Sequence, residues 1–242
     1  MPSLKKIFEN SVLVISLIVI IFNVFIYLEV SKKKPNEDEV VSYLIDNPAN
    51  LESALNKINS LKEDNNKKNI HIHYNEIKNN HEFFLGNKNG ETIIIEFFDY
   101  NCGYCKSVVK TIMDVMSEDK KVNLVFVELP ILSQNSYIAA TAALASEKQG
   151  LYNDYHLSLM SVKGRINEDV IFKIAKKTGL NINQLKIDMK KLEIENKLTK
   201  NREIAKLLNL NGTPAFIVGD IIYPGALQKS DLKQIIKSFR EK

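Results

Sequence analysis

The sequence predicts an α/β fold built on a strand, helix and strand in succession, with an all-helical insertion and a closing β-hairpin. Residues 92–98 and 122–128 are predominantly apolar without a regular alternation, which is typical of strands covered on both faces. Residues 106–116 between them place apolar side chains at helical spacing, so the three segments predict a βαβ unit. Residues 215–223 contain two short strand-like runs around a Gly-Asp pair, and this pattern predicts the hairpin.

The segment between these parts is expected to be helical throughout. No run between about residues 134 and 208 has the pattern of a strand, whereas Ala-rich and amphipathic stretches recur. Asn167 is suited to cap one of these helices, and Gly179 is suited to end it. The chain is then predicted to close on a helix that begins near Ser230.

The N-terminal residues 1–34 are predicted to form a membrane anchor. Residues 11–28 carry no charge and are long and apolar enough to span a bilayer as a helix. The alternative is a cleaved signal peptide, which usually has an apolar stretch of about 7–15 residues followed by a small-residue cleavage site. This run is longer and continues into Glu29-Val30, so an uncleaved anchor is the better interpretation.

Residues 35–69 are predicted to form an amphipathic helical preamble and linker. Apolar residues recur at helical spacing on both sides of Asn47-Pro48, which indicates two short helices. Residues 63–69 are polar and are expected to interrupt the helical pattern. Because the two helices have no partner of their own, we expect residues 37–61 to pack on the main domain or on copies of themselves in a homo-oligomer.

The main domain is predicted to cover residues 70–242. Its first segment, residues 70–74, alternates apolar and polar side chains and is expected to form an edge strand. Residues 85–90 are expected to form a loop and turn. His71 and His73 would share one face of the strand, but no further ligands cluster nearby in sequence. Solvated histidines are therefore expected rather than a metal site.

Composition argues against nucleic-acid binding. The net charge of +4 is small, and it is spread through Lys/Asn-rich segments without interleaved aromatic residues. The chain has two cysteines, Cys102 and Cys105, so it contains no separate framework of structural disulfides. The two thiols are therefore expected to act as a pair.

The Cys102-Gly103-Tyr104-Cys105 motif stands between a predicted buried strand and a predicted helix. Cys102 would occupy the helix N-terminus, where unpaired N–H groups and the helix dipole favour a thiolate. We therefore assign nucleophilic attack to Cys102 and resolution of the mixed disulfide to Cys105. Half of a zinc site is the alternative, but four ligands are needed and the sequence has no second cysteine pair. We expect no metal, and no cofactor other than a redox-active disulfide between Cys102 and Cys105.

Two further residues are candidates for the site. Glu96 lies inside an apolar strand, where burial would raise the pKa of its carboxyl and suit it to exchange a proton with Cys105. A glutamate at the rim of the sheet, with its carboxylate in water, is the alternative. Pro214 immediately precedes the returning strand, and the residues alone leave its peptide bond either cis or trans.

Four segments together resemble a known family: residues 96–106 around the cysteines, Glu128-Leu129-Pro130, residues 211–216, and Pro224-Gly225-Ala226. Over about residues 37–242 the chain resembles the DsbA-like branch of the thioredoxin superfamily, and within it the bacterial envelope proteins similar to ScsC and Com1. The resemblance implies a thioredoxin fold and a cis Pro214 packed against the disulfide. It also implies that the backbone at Thr213 hydrogen-bonds an extended substrate strand.

The dipeptide between the cysteines differs from that of DsbA, which has Pro-His at these positions. Gly103-Tyr104 is instead the dipeptide of the disulfide isomerase DsbC, and a threonine before the proline is likewise isomerase-like. The resemblance therefore implies a milder oxidant than DsbA. It leaves open whether the protein acts as an oxidase or as an isomerase and reductase.

The predicted function is thiol–disulfide exchange on unfolded or misbridged envelope proteins, together with a membrane redox partner. Lysines flank the anchor on both sides, at Lys5, Lys6 and residues 32–34, so charge does not fix the topology. Because protein disulfides persist in the envelope, we expect a single span in the inner membrane with the catalytic domain in the periplasm. The alternative function is a membrane-anchored oligomeric interaction module in which the thiols are incidental.

Overall fold

The computed structural model describes residues 16, 18–26, 36–80, 83–86 and 90–241. Residues 16 and 18–26 are helical. No helix within these described ranges is both long and apolar enough to cross a membrane. Much of the predicted anchor, residues 1–34, lies outside the described residues, so the anchor stays a prediction.

The chain divides into two compact units, Met1–Leu61 and Lys62–Lys242. In the first unit, helix α1 (Glu37–Asp46) ends at Asn47, whose side-chain amide donates to a carbonyl oxygen of the last turn at 2.9 Å. Pro48 starts the next helix, α2, at a position where a missing N–H is tolerated. The predicted interruption between two helices is therefore confirmed.

Helix α2 extends much further than predicted, over Pro48–Asn80. The predicted polar interruption at residues 63–69 is wrong, because the helix continues through it and Glu63 pairs with Lys67 at 2.8 Å across one turn. The predicted edge strand at residues 70–74 is also wrong, because this segment is helical.

Burial explains why residues 70–74 form a helix. Ile70, Tyr74 and Ile77 are buried, whereas Ile72 is 49% exposed. The buried positions therefore follow the i, i+4, i+7 spacing of one helix face. An alternating pattern and a helical pattern share the first and fifth positions of a five-residue run, so the local sequence did not distinguish them.

The two histidines of this segment do not share a strand face, contrary to the prediction. Within α2, His71 Nε2 lies 3.1 Å from the side-chain amide of Asn75, and His73 Nδ1 lies 3.0 Å from Glu76 Oε2. Among the described residues, no group of three or more His, Cys, Asp and Glu side chains is placed to hold a metal ion.

The second unit contains a sheet whose described strands are β1 (Phe84–Gly86), β2 (Thr92–Phe98), β3 (Val122–Glu128), β4 (Ala215–Val218) and β5 (Ile221–Pro224). Their order across the sheet is β1-β3-β2-β4-β5. Strands β2 and β3 are parallel, and the other neighbouring pairs are antiparallel. All residues of β2, β3 and β4 are buried, which confirms the predicted central strands.

Strand β1 lies where a loop was predicted. Its three residues pair antiparallel with β3, and Gly86 stands opposite Asn123. Gly86 has a φ of +96°, and a Cβ there would lie 2.7 Å from the Val122 carbonyl oxygen. The glycine that suggested a turn is instead required by the close approach of two strands.

The remaining helices are α3 (Gly103–Glu118), α4 (Gln134–Ser146), α5 (Tyr152–Met160), α6 (Glu168–Lys177), α7 (Ile182–Asp188), α8 (Leu192–Leu207) and α9 (Lys229–Arg240), with a 3-10 turn at Glu147–Gln149. All elements from α4 to α8 are helical, which confirms the predicted insertion at about residues 134–208. The predicted cap is also confirmed, because the Asn167 side chain accepts the Val170 N–H at 3.0 Å.

The sheet separates two hydrophobic clusters. One cluster joins alternate residues of β2 to the cysteine-bearing helix and to the insertion, through Ile94, Phe98, Val108, Ile112 and Leu144. The other joins the opposite face to α2 and α8, through Ile93, Ile95, Phe97, Tyr74 and Ile204. Because side chains alternate along a strand, Glu96 belongs to the first face, the one covered by α3.

Candidate active site

The two cysteines lie at the start of α3. Cys102 is the N-cap residue, with an extended backbone, and its carbonyl oxygen accepts the Lys106 N–H at 3.2 Å. Its sulfur therefore lies beside helix N–H groups that have no partner within the helix. Both thiols are free, and Cys105 is fully buried one turn further in, whereas Cys102 is 7% exposed. Access from solvent thus favours Cys102 as the attacking sulfur.

The Thr213-Pro214 segment packs against the cysteine that precedes α3. The Cys102 thiol donates to the Thr213 carbonyl oxygen at 3.1 Å. The peptide bond between Thr213 and Pro214 is cis, as the family resemblance implies. The Pro214 carbonyl oxygen in turn accepts the Gly225 N–H at 2.8 Å, which fixes this segment to the end of the hairpin. Residues far apart in sequence are therefore brought to the nucleophile.

Glu96 is buried beneath the cysteines, and the alternative of a rim carboxylate in water is excluded because only 1% of the residue is exposed. Burial, with the nearby Cys102, raises the pKa of Glu96 to about 8. Burial and the charge of Glu96 raise the pKa of Cys105 as well. Glu96 Oε1 has no hydrogen-bond partner among the described residues. The carboxyl therefore keeps its proton near neutral pH and lies close enough to Cys105 to influence its ionisation.

The dipeptide between the cysteines faces outward. Tyr104 is 73% exposed, and a Cβ at Gly103 would meet no atom within 4 Å. The dipeptide contributes neither a cation nor a bulky group over the Cys102 sulfur. The dipeptide is therefore expected to affect the reduction potential through the absence of a cation that would stabilise the Cys102 thiolate.

Two residues of the loop after β2 hold the site together, and sequence reasoning assigned neither a role. Asp99 Oδ2 accepts the N–H groups of Ile131 and Leu132 at 2.9 and 3.0 Å, which ties this loop to the one after β3. Asn101 Oδ1 accepts the Ile166 N–H at 2.7 Å, which ties the loop to the helical insertion. No local pattern marks these contacts, because their partners lie more than thirty residues away.

A second buried polar cluster lies behind the loop. Glu128 Oε1 accepts the hydroxyl groups of Tyr100 and Tyr152 at 2.9 and 3.0 Å. The Tyr100 oxygen also lies 2.9 Å from His156 Nδ1. Burial raises the pKa of Glu128 well above its ordinary value and lowers the pKa of His156 to about 3. The one available signal in the sequence was Glu128 at the end of a largely apolar strand.

Comparison with known proteins agrees with this geometry. Residues 93–237 match the DSBA-like thioredoxin domain family. The chain is 27% identical over 169 residues to "Probable disulfide bond formation protein D" of Bacillus anthracis, covering 63% of this chain and 78% of that protein.

The fold is also similar to that of solved structures. A thioredoxin-like oxidoreductase from Silicibacter pomeroyi has 38% identity and a TM-score of 0.65, over 66% of this chain and 92% of the other. The catalytic domain of Proteus mirabilis ScsC has 26% identity and a TM-score of 0.66, over 73% of this chain and 99% of the other. The resemblance found in the sequence is therefore confirmed, and the chain belongs to the DSBA-like thioredoxin domain family as a disulfide oxidoreductase.

Proposed function

We propose that the protein exchanges disulfides with unfolded or misbridged envelope proteins through the Cys102-Gly103-Tyr104-Cys105 centre. The observation that carries this proposal is the Cys102 sulfur at the N-terminus of α3, 3.1 Å from the Thr213 carbonyl oxygen. A helix N-terminus favours a thiolate, and a backbone carbonyl beside the sulfur suits an extended substrate chain once the thiol proton is lost.

In the reducing direction the Cys102 thiolate attacks one sulfur of a substrate disulfide. A Cys102–substrate mixed disulfide forms, and the other substrate sulfur leaves as a thiolate. Cys105 then gives up its proton to an ionised Glu96 and attacks the Cys102 sulfur. This second step forms the Cys102–Cys105 disulfide and releases the first substrate sulfur as a thiolate. Two electrons pass from the protein dithiol to the substrate.

In the oxidising direction the same steps run backwards. A substrate thiolate attacks the Cys102 sulfur of the Cys102–Cys105 disulfide, and Cys105 leaves as a thiolate. Protonated Glu96 supplies the proton that this buried leaving group requires. Because the pKa of Glu96 is raised to about 8, the protonated form predominates near neutral pH. The carboxyl thus serves both directions.

Thr213 is proposed to hold the substrate backbone. Its carbonyl oxygen accepts the Cys102 thiol proton in the dithiol form. Once Cys102 is a thiolate or part of a disulfide it has no proton to donate, and the carbonyl oxygen becomes free for a substrate N–H. Pro214 fixes this carbonyl beside the cysteine.

The proposed reaction takes place in the bacterial envelope. Protein disulfides persist in the envelope, and a chain anchored through residues 1–34 would place the catalytic unit in the periplasm beside a membrane redox partner.

The exposed apolar side chains of α1 and of the start of α2 support a homo-oligomer through residues 37–61; they are Val40, Val41, Leu51, Leu55 and Ile58.

Single cysteine replacements test the exchange reaction. Cys102→Ala should abolish exchange with a disulfide-bonded protein substrate. Cys105→Ala should accumulate a mixed disulfide, because attack remains possible and resolution does not. Non-reducing gels and mass spectrometry of the adduct measure both. Faster alkylation of Cys105 than of Cys102 at mildly acidic pH would reverse the two assignments.

The exposed preamble also favours a second candidate, an oligomeric interaction module with incidental thiols. Replacing both cysteines by alanine separates the two functions. If the double variant retains the protein's cellular function and the cysteines never change redox state in cells, the interaction module is correct. Loss of function with unchanged oligomeric mass supports thiol–disulfide exchange.

A further inference from the structure

A solvent-accessible groove of about 580 Å³ opens directly beside the nucleophile. One wall is the start of α3, including Gly103, the residue that follows Cys102. The other wall is the segment that joins α5 to α6, residues 161–165. Gly103 adds no side chain to this wall, and a Cβ at this position would meet no atom of the described residues within 4 Å.

The groove is positively charged. Its lining includes Lys106, Lys163 and Arg165 and contains no acidic side chain. Lys163 and Arg165 are exposed, and within the described part of the chain neither forms an ion pair. Glu168, the nearest acidic residue along the chain, lines a separate cavity.

Lys106 fixes the two walls relative to each other. Its ammonium donates to the Gly164 carbonyl oxygen at 2.5 Å. Burial lowers the pKa of Lys106, and the charges of Asp99 and Cys102 act in the opposite sense. Both Asp99 carboxylate oxygens accept backbone N–H groups, so this carboxylate is already committed within the loop. Within the described ranges, no carboxylate forms an ion pair with Lys163 or Arg165.

We propose that this groove binds acidic residues of the polypeptide substrate that lie next to its reacting cysteine. The inference rests on the proposed exchange reaction and names a substrate class for it. A substrate sulfur bonded to Cys102 brings its neighbouring residues past Gly103 into the groove, where carboxylates meet the ammonium and guanidinium groups. Val162, which is partly exposed, supplies apolar surface for the stems of those side chains.

Matched peptides test the proposal. Three disulfide-bonded peptides differ only in the two residues beside the cysteine, which are glutamates, glutamines or lysines. The second-order rate constant for reaction with the reduced full chain is measured in detergent at low and high salt. We expect the glutamate peptide to react about fivefold faster than the glutamine peptide, because exposed charge pairs contribute a few-fold each, and we expect this preference to shrink at high salt.

Charge reversal locates the effect. Lys163→Glu combined with Arg165→Glu should invert the preference, so that the lysine peptide reacts fastest. Lys173→Glu combined with Lys176→Glu changes the net charge equally on α6, outside the groove, and should preserve the preference for glutamate. Equal effects of the two double variants would overturn the proposal, because net charge alone would then explain the rates.

The outcomes separate this inference from the proposed function. If the glutamine peptide exchanges with the parent protein but all three peptides react equally, the groove inference fails and the exchange reaction stands. If no peptide exchanges while Cys102 remains reactive towards a small maleimide, the proposed exchange function fails as well.

Discussion

Replacing Glu96 by glutamine tests the buried carboxyl beneath the cysteines. In the folded protein the pKa of Glu96 rises from its ordinary value of 4.5 to about 8, chiefly through burial and next through Cys102. The folded state therefore holds a proton that the unfolded state has released between these two pH values. The bound proton stabilises the folded state. This stabilisation is complete below the ordinary pKa of the carboxyl and is lost as the pH rises through the folded pKa.

The magnitude follows from the interval between the two pKa values. Full ionisation of the buried carboxyl opposes folding by about 5 kcal/mol, at about 1.4 kcal/mol per pH unit. Between about pH 5 and about pH 9, the free energy of unfolding of the parent protein should fall by about 4 kcal/mol more than that of Glu96→Gln. Glutamine keeps the size of the side chain and cannot ionise. Any destabilisation that it causes is therefore the same at both pH values and cancels from the comparison.

Denaturant unfolding of the reduced full chain in a mild detergent, followed by near-ultraviolet circular dichroism of the tyrosines, measures this difference. Glu118→Gln is the matched control. Hydrogen bonds and charge from Lys229 and Lys233 hold the pKa of Glu118 below its ordinary value, so its contribution is constant above about pH 5. The difference in the free energy of unfolding between the parent protein and Glu96→Gln should vary with pH. If it is as independent of pH as the difference for Glu118→Gln, the raised pKa of Glu96 is refuted.

Three further predictions follow. Because Gly103-Tyr104 supplies no cation, the reduction potential measured in glutathione buffers should lie nearer about −180 mV than about −120 mV, and a value at or above the latter contradicts this. Tyr100→Phe should lower the free energy of unfolding by about 1–3 kcal/mol, because it removes a buried partner of Glu128; unchanged stability would argue against that hydrogen bond. With the outer membrane alone permeabilised, an impermeant maleimide should label reduced Cys102, and labelling only after inner-membrane lysis would place the domain in the cytosol.

The sequence by itself determined the architecture around the cysteines. Residues 92–98 and 122–128 are predominantly apolar over their whole length, and this local pattern is sufficient to recognise two buried strands and the helix between them. The position of Cys102 at a helix N-terminus follows from this local order alone. The same holds for the helical insertion, in which α4, α6 and α7 each begin at a capping side chain that is adjacent in sequence.

The tertiary structure decided the features that depend on distant partners. The contact between Cys102 and Thr213 joins residues 111 positions apart. The buried Glu128 cluster likewise joins Tyr100 to His156, 56 positions away. Neither contact has a local pattern, because chain folding rather than neighbouring sequence brings the groups within hydrogen-bond distance.

The extension of α2 through residues 70–80 is the clearest case of tertiary override. Its first five residues fit a strand and a helix equally well. Burial of Tyr74 and Ile77 against the same face of the sheet selects the helix, since only helical spacing places both with Ile70 in one apolar cluster. The sequence therefore determined the elements whose apolar pattern is long enough to distinguish a helix from a strand. Short ambiguous segments and long-range polar contacts were decided by the residues that pack against them in the folded chain.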